Sequence, residues 1–312
     1  MKKRKTFNIN VLALVLGTIL VLYTALLGLI LFYGLVNSMK DQLAFDADPV
    51  FWSKALFDDL NLRKKLSGDD SLTWYNLGNY IQAFEAINMK VRKGNQVFQI
   101  FLPEMFFNSL VYAGGCSFFA TLTPCLVAYV TSKYNFRFNN VIYMTVIFVM
   151  VTPIVGNAPS SILMAKTLGL FDSQIGLWFM SATFLGTYYL VFHGIFKGLS
   201  WEYAEAAFMD GASHMTVLFQ VMLPLVKNTF FAVMLLNFIA YWNDYQRPWI
   251  YLPTIPTAAV GIQFCMDATE NRNAGVPVKL AGGMLMLLPV LTLFLIFKEK
   301  FVGNLTVGGI KG

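Results

Sequence analysis

From residue 11 to residue 36 the chain runs for 26 residues without a charged side chain, and a segment of that length and character suits one solvent. Hydrocarbon about 30 Å thick is crossed by roughly 20 helical residues. Lipid offers no partner to an open amide, so the segment must be helical to enter it. The run is too long for the apolar core of a signal peptide and lacks a small-residue cleavage site, so an uncleaved first span is expected. Uncharged runs recur at residues 105–132, 141–165 and 173–196. Residues 224–243 form a fifth span, with Lys227 near one end where its amine can snorkel to the headgroups, and residues 280–297 form a sixth. Pro153 and Pro159 are expected to kink the third. The fold class read from this pattern is all-α, a polytopic membrane protein with six transmembrane helices.

Composition agrees with that solvent. Hydrophobic residues make up 57% of the chain and charged residues 13%, against roughly 25% charged in soluble domains, which argues against an ordinary water-soluble globule. The net charge of +6 does not point to nucleic acid, because a membrane protein acquires such a bias from its cytoplasmic loops. Six spans put both termini on one side. Of the 23 Lys and Arg, eleven fall where this topology meets the cytoplasm, among them Lys2, Lys3, Arg4, Lys5, Lys133 and Lys197. Only four, Lys166, Arg247, Arg272 and Lys279, fall in the short outer connections. Both termini are therefore expected in the cytoplasm. Cys116, Cys125 and Cys265 are too few for a disulfide framework and read as small buried hydrophobes.

Residues 40–104 hold the other eight basic residues and nine acidic ones, with Trp52, Trp74, Tyr75, Tyr80 and Phe84. The segment is too long for the charge rule to act on and too aromatic for simple disorder. A small extracytoplasmic insertion of short helices is expected; a low-complexity linker is the other reading.

Residues 200–223, between spans four and five, are the most informative. Ser200 suits a helix N-cap, Glu202 lies in the first turn where the dipole favours an anion, and the Ala-rich run that follows has high helix propensity. At helical spacing Trp201, Ala204 and Phe208 share one face, and Glu202, Glu205 and Met209 another. Asp210 and Gly211 form a breaker, since Gly accepts a positive φ that bulkier residues resist, and Ser213 can cap a second helix. By periodicity alone this is either an amphipathic interfacial helix or a helix built for a partner.

The spacing is more specific. Glu205-Ala206-Ala207, three residues, Gly211, nine residues, Val221, one residue, then Leu223-Pro224 resembles the EAA loop of binding-protein-dependent ABC importer permeases, with Val221 in place of the usual Ile. The likeness extends from about Tyr75 onward and is to the carbohydrate-importing class, similar to the second permease of the maltose importer. Leu77-Gly78-Asn79-Tyr80, Asn108-Ser109-Leu110, Ala128-Tyr129, Leu168-Gly169-Leu170 and the final Leu305-Thr306-Val307-Gly308-Gly309-Ile310-Lys311-Gly312 carry it. The long first outer segment departs from the family.

The resemblance implies a type I ABC importer permease fold in a bacterial inner membrane. It implies a second permease subunit, a cytoplasmic ATPase dimer, an extracytoplasmic solute-binding protein, and a sugar or oligosaccharide as substrate. Glu202, Glu205, Ala206, Ala207, Met209, Asp210 and Gly211 become the residues that couple to the ATPase. The connection at residues 251–278 corresponds to a loop that probes the solute-binding protein, and the tail to a segment that reaches the ATPases. No G-x-x-x-x-G-K-[ST] phosphate loop occurs in the chain, so ATP and magnesium are expected on the partner and no cofactor on this chain.

For the substrate path, polar and aromatic groups inside spans are candidates, because such groups are costly unless they line a cavity or find a partner. Asn157, Ser160 and Ser161 in the third span, Tyr188 and Tyr189 in the fourth, and Asn237 and Tyr241 in the fifth qualify; helix–helix hydrogen bonding explains each as well. In the maltose system the other permease supplies the pocket. A membrane enzyme is a competing class, yet His193 and His214 are the only histidines and no metal-ligand spacing or catalytic cluster is present. A secondary transporter would place carboxylates inside spans, and the six cores hold none. A permease for a non-sugar solute stays open.

Overall fold

The computed structural model describes residues 11–50, 75–152, 156–267 and 275–305. The N-terminal basic cluster, Trp52, Trp74, Pro153, most of the polar run up to Asn273 and the tail beyond Leu305 lie outside the described residues. Among the described residues the regular structure is helical apart from one hairpin. In order come α1 (Val11–Ser38), α2 (Gln42–Ala47), α3 (Gly78–Ala86), β1 (Asn88–Lys93), β2 (Gln96–Phe101), α4 (Leu102–Lys133), α5 (Asn139–Val151), α6 (Ala158–Thr167) and α7 (Gln174–Ser181). There follow α8 (Thr187–Gly198), α9 (Glu202–Met209), α10 (His214–Asn243, with a π-helical turn at Val217–Met222), α11 (Gln246–Tyr251), α12 (Ala258–Asp267) and α13 (Val276–Leu305).

Four of these helices, α1, α4, α10 and α13, are long and apolar enough to cross a membrane. The apolar window of α1 buries nothing inside the chain, a state that lipid tolerates and water does not. Two expected spans differ from expectation. The third, residues 141–165, is split into α5 and α6; Pro159 sits in the first turn of α6, the position where a missing N–H costs nothing and a new helix starts. The fourth, residues 173–196, is split into α7 and α8, with non-helical backbone at residues 182–186. An uncharged run fixes the solvent of a segment, and says nothing of whether its helix is continuous.

The described residues form two compact units, those before residue 88 with 275–285 and those of 88–267 with 286–305. In the first, the motif Leu77-Gly78-Asn79-Tyr80 closes on the end of α1. The Asn79 amide donates to the carbonyls of Ser38 at 2.8 Å and Lys40 at 2.7 Å, and the Tyr80 hydroxyl meets Ser38 Oγ at 2.7 Å. The first of these bonds satisfies a carbonyl that the helix end leaves open, and the others fasten the motif to the residues around that end. Beyond that end Lys40 is fully buried, its Nζ donating to the Asp48 carbonyl at 2.6 Å. Burial lowers its pKa from the ordinary lysine value, and the charge of Asp48 partly opposes the shift.

In the second unit β1 and β2 pair antiparallel through the two-residue turn Gly94-Asn95, with Gly94 at φ +62°. The short helices expected in the outer segment are therefore joined by a hairpin, and its sign was present: a Gly-Asn pair between short runs is a type II′ signal. The core of the unit is α4 against α7, α8 and α10. Cys125, Ala128, Tyr129, Val146, Tyr189, Phe192, Phe196 and Met222 are buried together. All three cysteines are buried and none is in a disulfide. Polar groups at this depth pair across helices: Asn237 Nδ2 donates to Thr121 Oγ1 at 3.0 Å, and the Thr131 and Tyr189 hydroxyls meet at 2.9 Å. Gly115 has no side chain because the Trp178 ring occupies the place where its Cβ would stand.

Candidate functional site

The segment at residues 200–216 folds as a helix, a sharp turn and a helix. Ser200 Oγ accepts the N–H of Glu202 at 3.2 Å, tying down the start of α9, and Glu202 and Glu205 lie in its first turn. Ala204 is fully buried, with Trp201 and Phe208 half-buried against the same core. Glu202, Glu205, Ala206 and Asp210 are exposed, and Met209 is 88% exposed. Gly211 takes φ +82°, a left-handed conformation natural to glycine. Ser213 then caps the next helix, accepting the Thr216 N–H at 3.2 Å. One face is thus locked into the unit and the other, acidic with an unburied methionine, is left open.

Four rings lock that face. Tyr134, just past the end of α4, meets Trp201 edge-on at 5.6 Å and His214 at 5.7 Å, while Phe208 meets His214 at 4.9 Å. The Tyr134 hydroxyl and His214 Nδ1 are 3.0 Å apart. Lys133 Nζ donates to the Leu199 carbonyl at 2.5 Å.

A cavity of about 440 Å³ opens beside the break between α7 and α8, within the span of about 300–1,000 Å³ usual for small-molecule sites. It is lined by Ala120 and Pro124 of α4, residues 183–189, and Asn237 and Tyr241 of α10. Tyr188, Tyr189, Asn237 and Tyr241, four of the intramembrane candidates, therefore share one cavity. Tyr189 and Asn237 are buried and spend hydrogen bonds on Thr131 and Thr121; Tyr188 and Tyr241 are half-buried. The Tyr241 ring is gripped by Arg247, whose guanidinium lies 5.6 Å from its centroid and donates to its hydroxyl at 3.4 Å, and by the edge of Tyr112 at 5.8 Å. Asn157, Ser160 and Ser161 are not part of this lining. They sit at the start of α6, where Ser160 Oγ and the Ser161 N–H both donate to the Asn157 carbonyl at 2.9 and 3.0 Å. Pro124, Thr183 and Thr187 were not singled out in the sequence; a proline inside an apolar helix was the available signal for the first.

The loop between α11 and α12 is fixed at its base by residues that the sequence offered only as family marks. Asn108 Nδ2 donates to the Pro256 carbonyl at 3.0 Å, and Ser109 Oγ accepts the first N–H of α12, from Ala258, at 2.8 Å. Asp172 accepts the N–H and hydroxyl of Thr254. Among the described residues no group of three or more His, Cys, Asp or Glu is placed to hold a metal.

The described residues thus combine helices long and apolar enough to cross a membrane, an open cavity beside a helix break and an exposed acidic turn. The chain belongs to the family described as binding-protein-dependent transport system inner membrane component, whose model matches residues 120–299. Its members are permeases, non-catalytic membrane subunits. Among its relatives, the arabinooligosaccharides transport system permease protein AraQ of Bacillus subtilis (strain 168) is 27% identical over 67% of this chain and 74% of its own. The maltodextrin transport system permease protein MdxG of the same organism is 29% identical over 66% and 74%. The sulfoquinovosyl glycerol transport system permease protein SmoH of Agrobacterium fabrum (strain C58 / ATCC 33970) is 27% identical over 85% and 88%. The fold is shared with a chain from the crystal structure of a bacterial ABC transporter involved in the import of the acidic polysaccharide alginate, with a TM-score of 0.65 and 17% identity over 96% of this chain and 99% of that one.

Proposed function

We propose that this chain is one of two membrane subunits of an ATP-driven importer for sugars or oligosaccharides, in a bacterial inner membrane with both termini in the cytoplasm. The observation that carries the reading is the turn at α9: Trp201, Ala204 and Phe208 fastened inside, Glu202, Glu205 and Met209 turned out, and Gly211 fixing the exit angle. That is a rigid, acidic, small-residue surface, suited to a cleft on a separate ATPase dimer that holds the ATP and magnesium. Ala206 allows close approach, Ala207 packs partly against the unit's own core beside it, and Glu205 can pair with a basic residue of the partner. The six-span type I topology, a second permease and an extracytoplasmic solute-binding protein belong to the same reading.

Oligosaccharide as substrate is supported by the named substrates of the relatives and by the cavity. Tyrosine faces suit pyranose rings, and hydroxyl and amide groups suit sugar hydroxyls. The test is reconstitution with the cognate ATPase and solute-binding protein, with uptake measured across a glycan panel. ATP-dependent uptake of a glycan by the wild-type complex, lost in Glu205→Lys at unchanged membrane insertion, is the expected outcome. Wild-type uptake in Glu205→Lys overturns the coupling role, and capture of only non-sugar solutes overturns the substrate class.

A further inference from the structure

We propose that α4 is a two-part lever, drawn at its end by Lys133 and Tyr134 and yielding at Ala120–Pro124 in the cavity wall. The proposal rests on the importer reading and adds to it the path by which the turn at α9 acts on the cavity.

The turn joins the rest of its unit through two stems, at Leu199 before α9 and His214 after it. Two consecutive residues hold both stems. Lys133 takes the Leu199 carbonyl at 2.5 Å, and Tyr134 takes His214 Nδ1 at 3.0 Å while its ring abuts Trp201. A displacement of the turn is therefore a displacement of the end of α4. Tyr129 relays it inward, sharing a 3.3 Å hydroxyl contact with Tyr134 and an edge contact at 5.4 Å with Phe196.

Further along α4 the helix has a weak point. Pro124 lies inside it and has no N–H, so the Ala120 carbonyl has no i+4 donor. Both residues line the cavity. The packing divides at the same place. Tyr112 and Cys116 belong to one buried cluster, with Leu177 and Tyr251, whereas Cys125, Ala128 and Tyr129 belong to another, with Phe192 and Phe196. Each half of α4 is thus bound to its own core, and the joint between them lacks a backbone hydrogen bond. From Pro124 to Lys133 the arm is about 13 Å long at 1.5 Å per residue. The moving half also carries Thr131, whose hydroxyl is 2.9 Å from that of Tyr189 in the cavity wall.

The experiment uses the whole reconstituted complex. Spin labels at Phe118→Cys and Val130→Cys, both exposed on α4 and on opposite sides of Pro124, report the distance across the joint with and without ATP. The distance is expected to change between the two states. In parallel, the paired variant Lys133→Met with Tyr134→Leu is expected to retain the ATPase on co-purification while glycan uptake per ATP hydrolysed falls about tenfold. Tyr134→Phe, which keeps the ring contacts and Lys133 but loses the hydroxyl contacts with His214 and Tyr129, is expected to fall between the wild type and the paired variant. An unchanged label distance alongside normal uptake, or a paired variant with wild-type uptake per ATP, overturns the lever alone. No ATP-stimulated uptake by the wild-type complex overturns the importer reading and the lever with it.

Discussion

The carboxylate of Asp172 holds Thr254 twice, accepting its backbone N–H at 3.1 Å and its hydroxyl at 2.7 Å. Asp172 itself stands at φ +56°, the only non-glycine with positive φ among the described residues, and its own N–H donates to the Tyr251 carbonyl at 2.8 Å. A left-handed backbone costs most residues about 1–2 kcal/mol and Asp less. Here it lets one side chain and one amide bind the same loop. Asp172→Ala is expected to destabilise the unit by about 2 kcal/mol or more, since hydrogen bonds to a charged group are lost. Asp172→Asn, which tolerates the same φ and keeps one acceptor oxygen, is expected to lose about half as much. Thermal unfolding in detergent, with proteolysis of the loop at residues 252–257, measures both.

Gly211→Val forces a β-branched residue to φ +82°, a cost of about 1–2 kcal/mol, although no neighbour lies within 4 Å of the new Cβ. The strain is therefore conformational, and the expected effect is a redirected α9 with insertion and expression intact. Uptake per ATP should fall while the melting temperature moves little. A variant that melts early and couples normally would contradict this.

Asn79→Ala removes both bonds to the carbonyls of Ser38 and Lys40, leaving two acceptors at the buried end of α1. A loss of about 2 kcal/mol is expected. Hydrogen exchange should report it as faster exchange at residues 36–40 with no change across α10.

Gly115→Val places new atoms in the Trp178 ring. Overpacking of this kind costs about 1–3 kcal/mol, and Trp178 must also give up its bond to the Val111 carbonyl, now at 3.1 Å. Tryptophan fluorescence and the melting temperature are expected to shift together.

Tyr188→Phe and Tyr241→Phe test the cavity. Each removes one hydroxyl and keeps the ring. On the sugar reading the half-saturating concentration for uptake should rise about fivefold for one lost hydrogen bond, with ATP hydrolysis unchanged. Unaltered uptake in both would detach the cavity from the substrate path.

What could be read from the sequence follows from how local each feature is. The turn at α9 was largely legible, because Ala204, Gly211 and Ser213 act on neighbours within a few residues; the exception is the start, where Trp201 and not Ser200 stands at the N-cap and Ser200 Oγ only accepts the N–H of Glu202. The first apolar run, now α1, was legible because lipid demands only length and hydropathy. An interruption of the third run was legible from Pro159, as a kink and not as the start of a separate helix; the splitting of the fourth was not, since Ala182 and Gly186 sit in a stretch as uncharged as any continuous span. The cavity was half legible. Tyr188, Tyr189, Asn237 and Tyr241 announced themselves as polar groups in spans, but which of them share a space depends on α4 meeting α8 and α10, and Asn237 finds Thr121 from 116 positions away. Asn108, Ser109 and Asn79 were visible only as motif letters; their work is to hold backbone groups that lie far off in the chain.

The interruption at residues 182–186 also changes what the cavity is made of. The Gly186 N–H, which a continuous helix would give to Ala182, turns instead to the Phe184 carbonyl at 3.0 Å. The Ala182 carbonyl thereby loses the donor that a continuous helix would give it, and the main chain of this stretch is turned from the helical ladder. Gly186, which lines the cavity, has only main chain to offer it, so at that point the wall stays as it is whatever side chains are replaced around it.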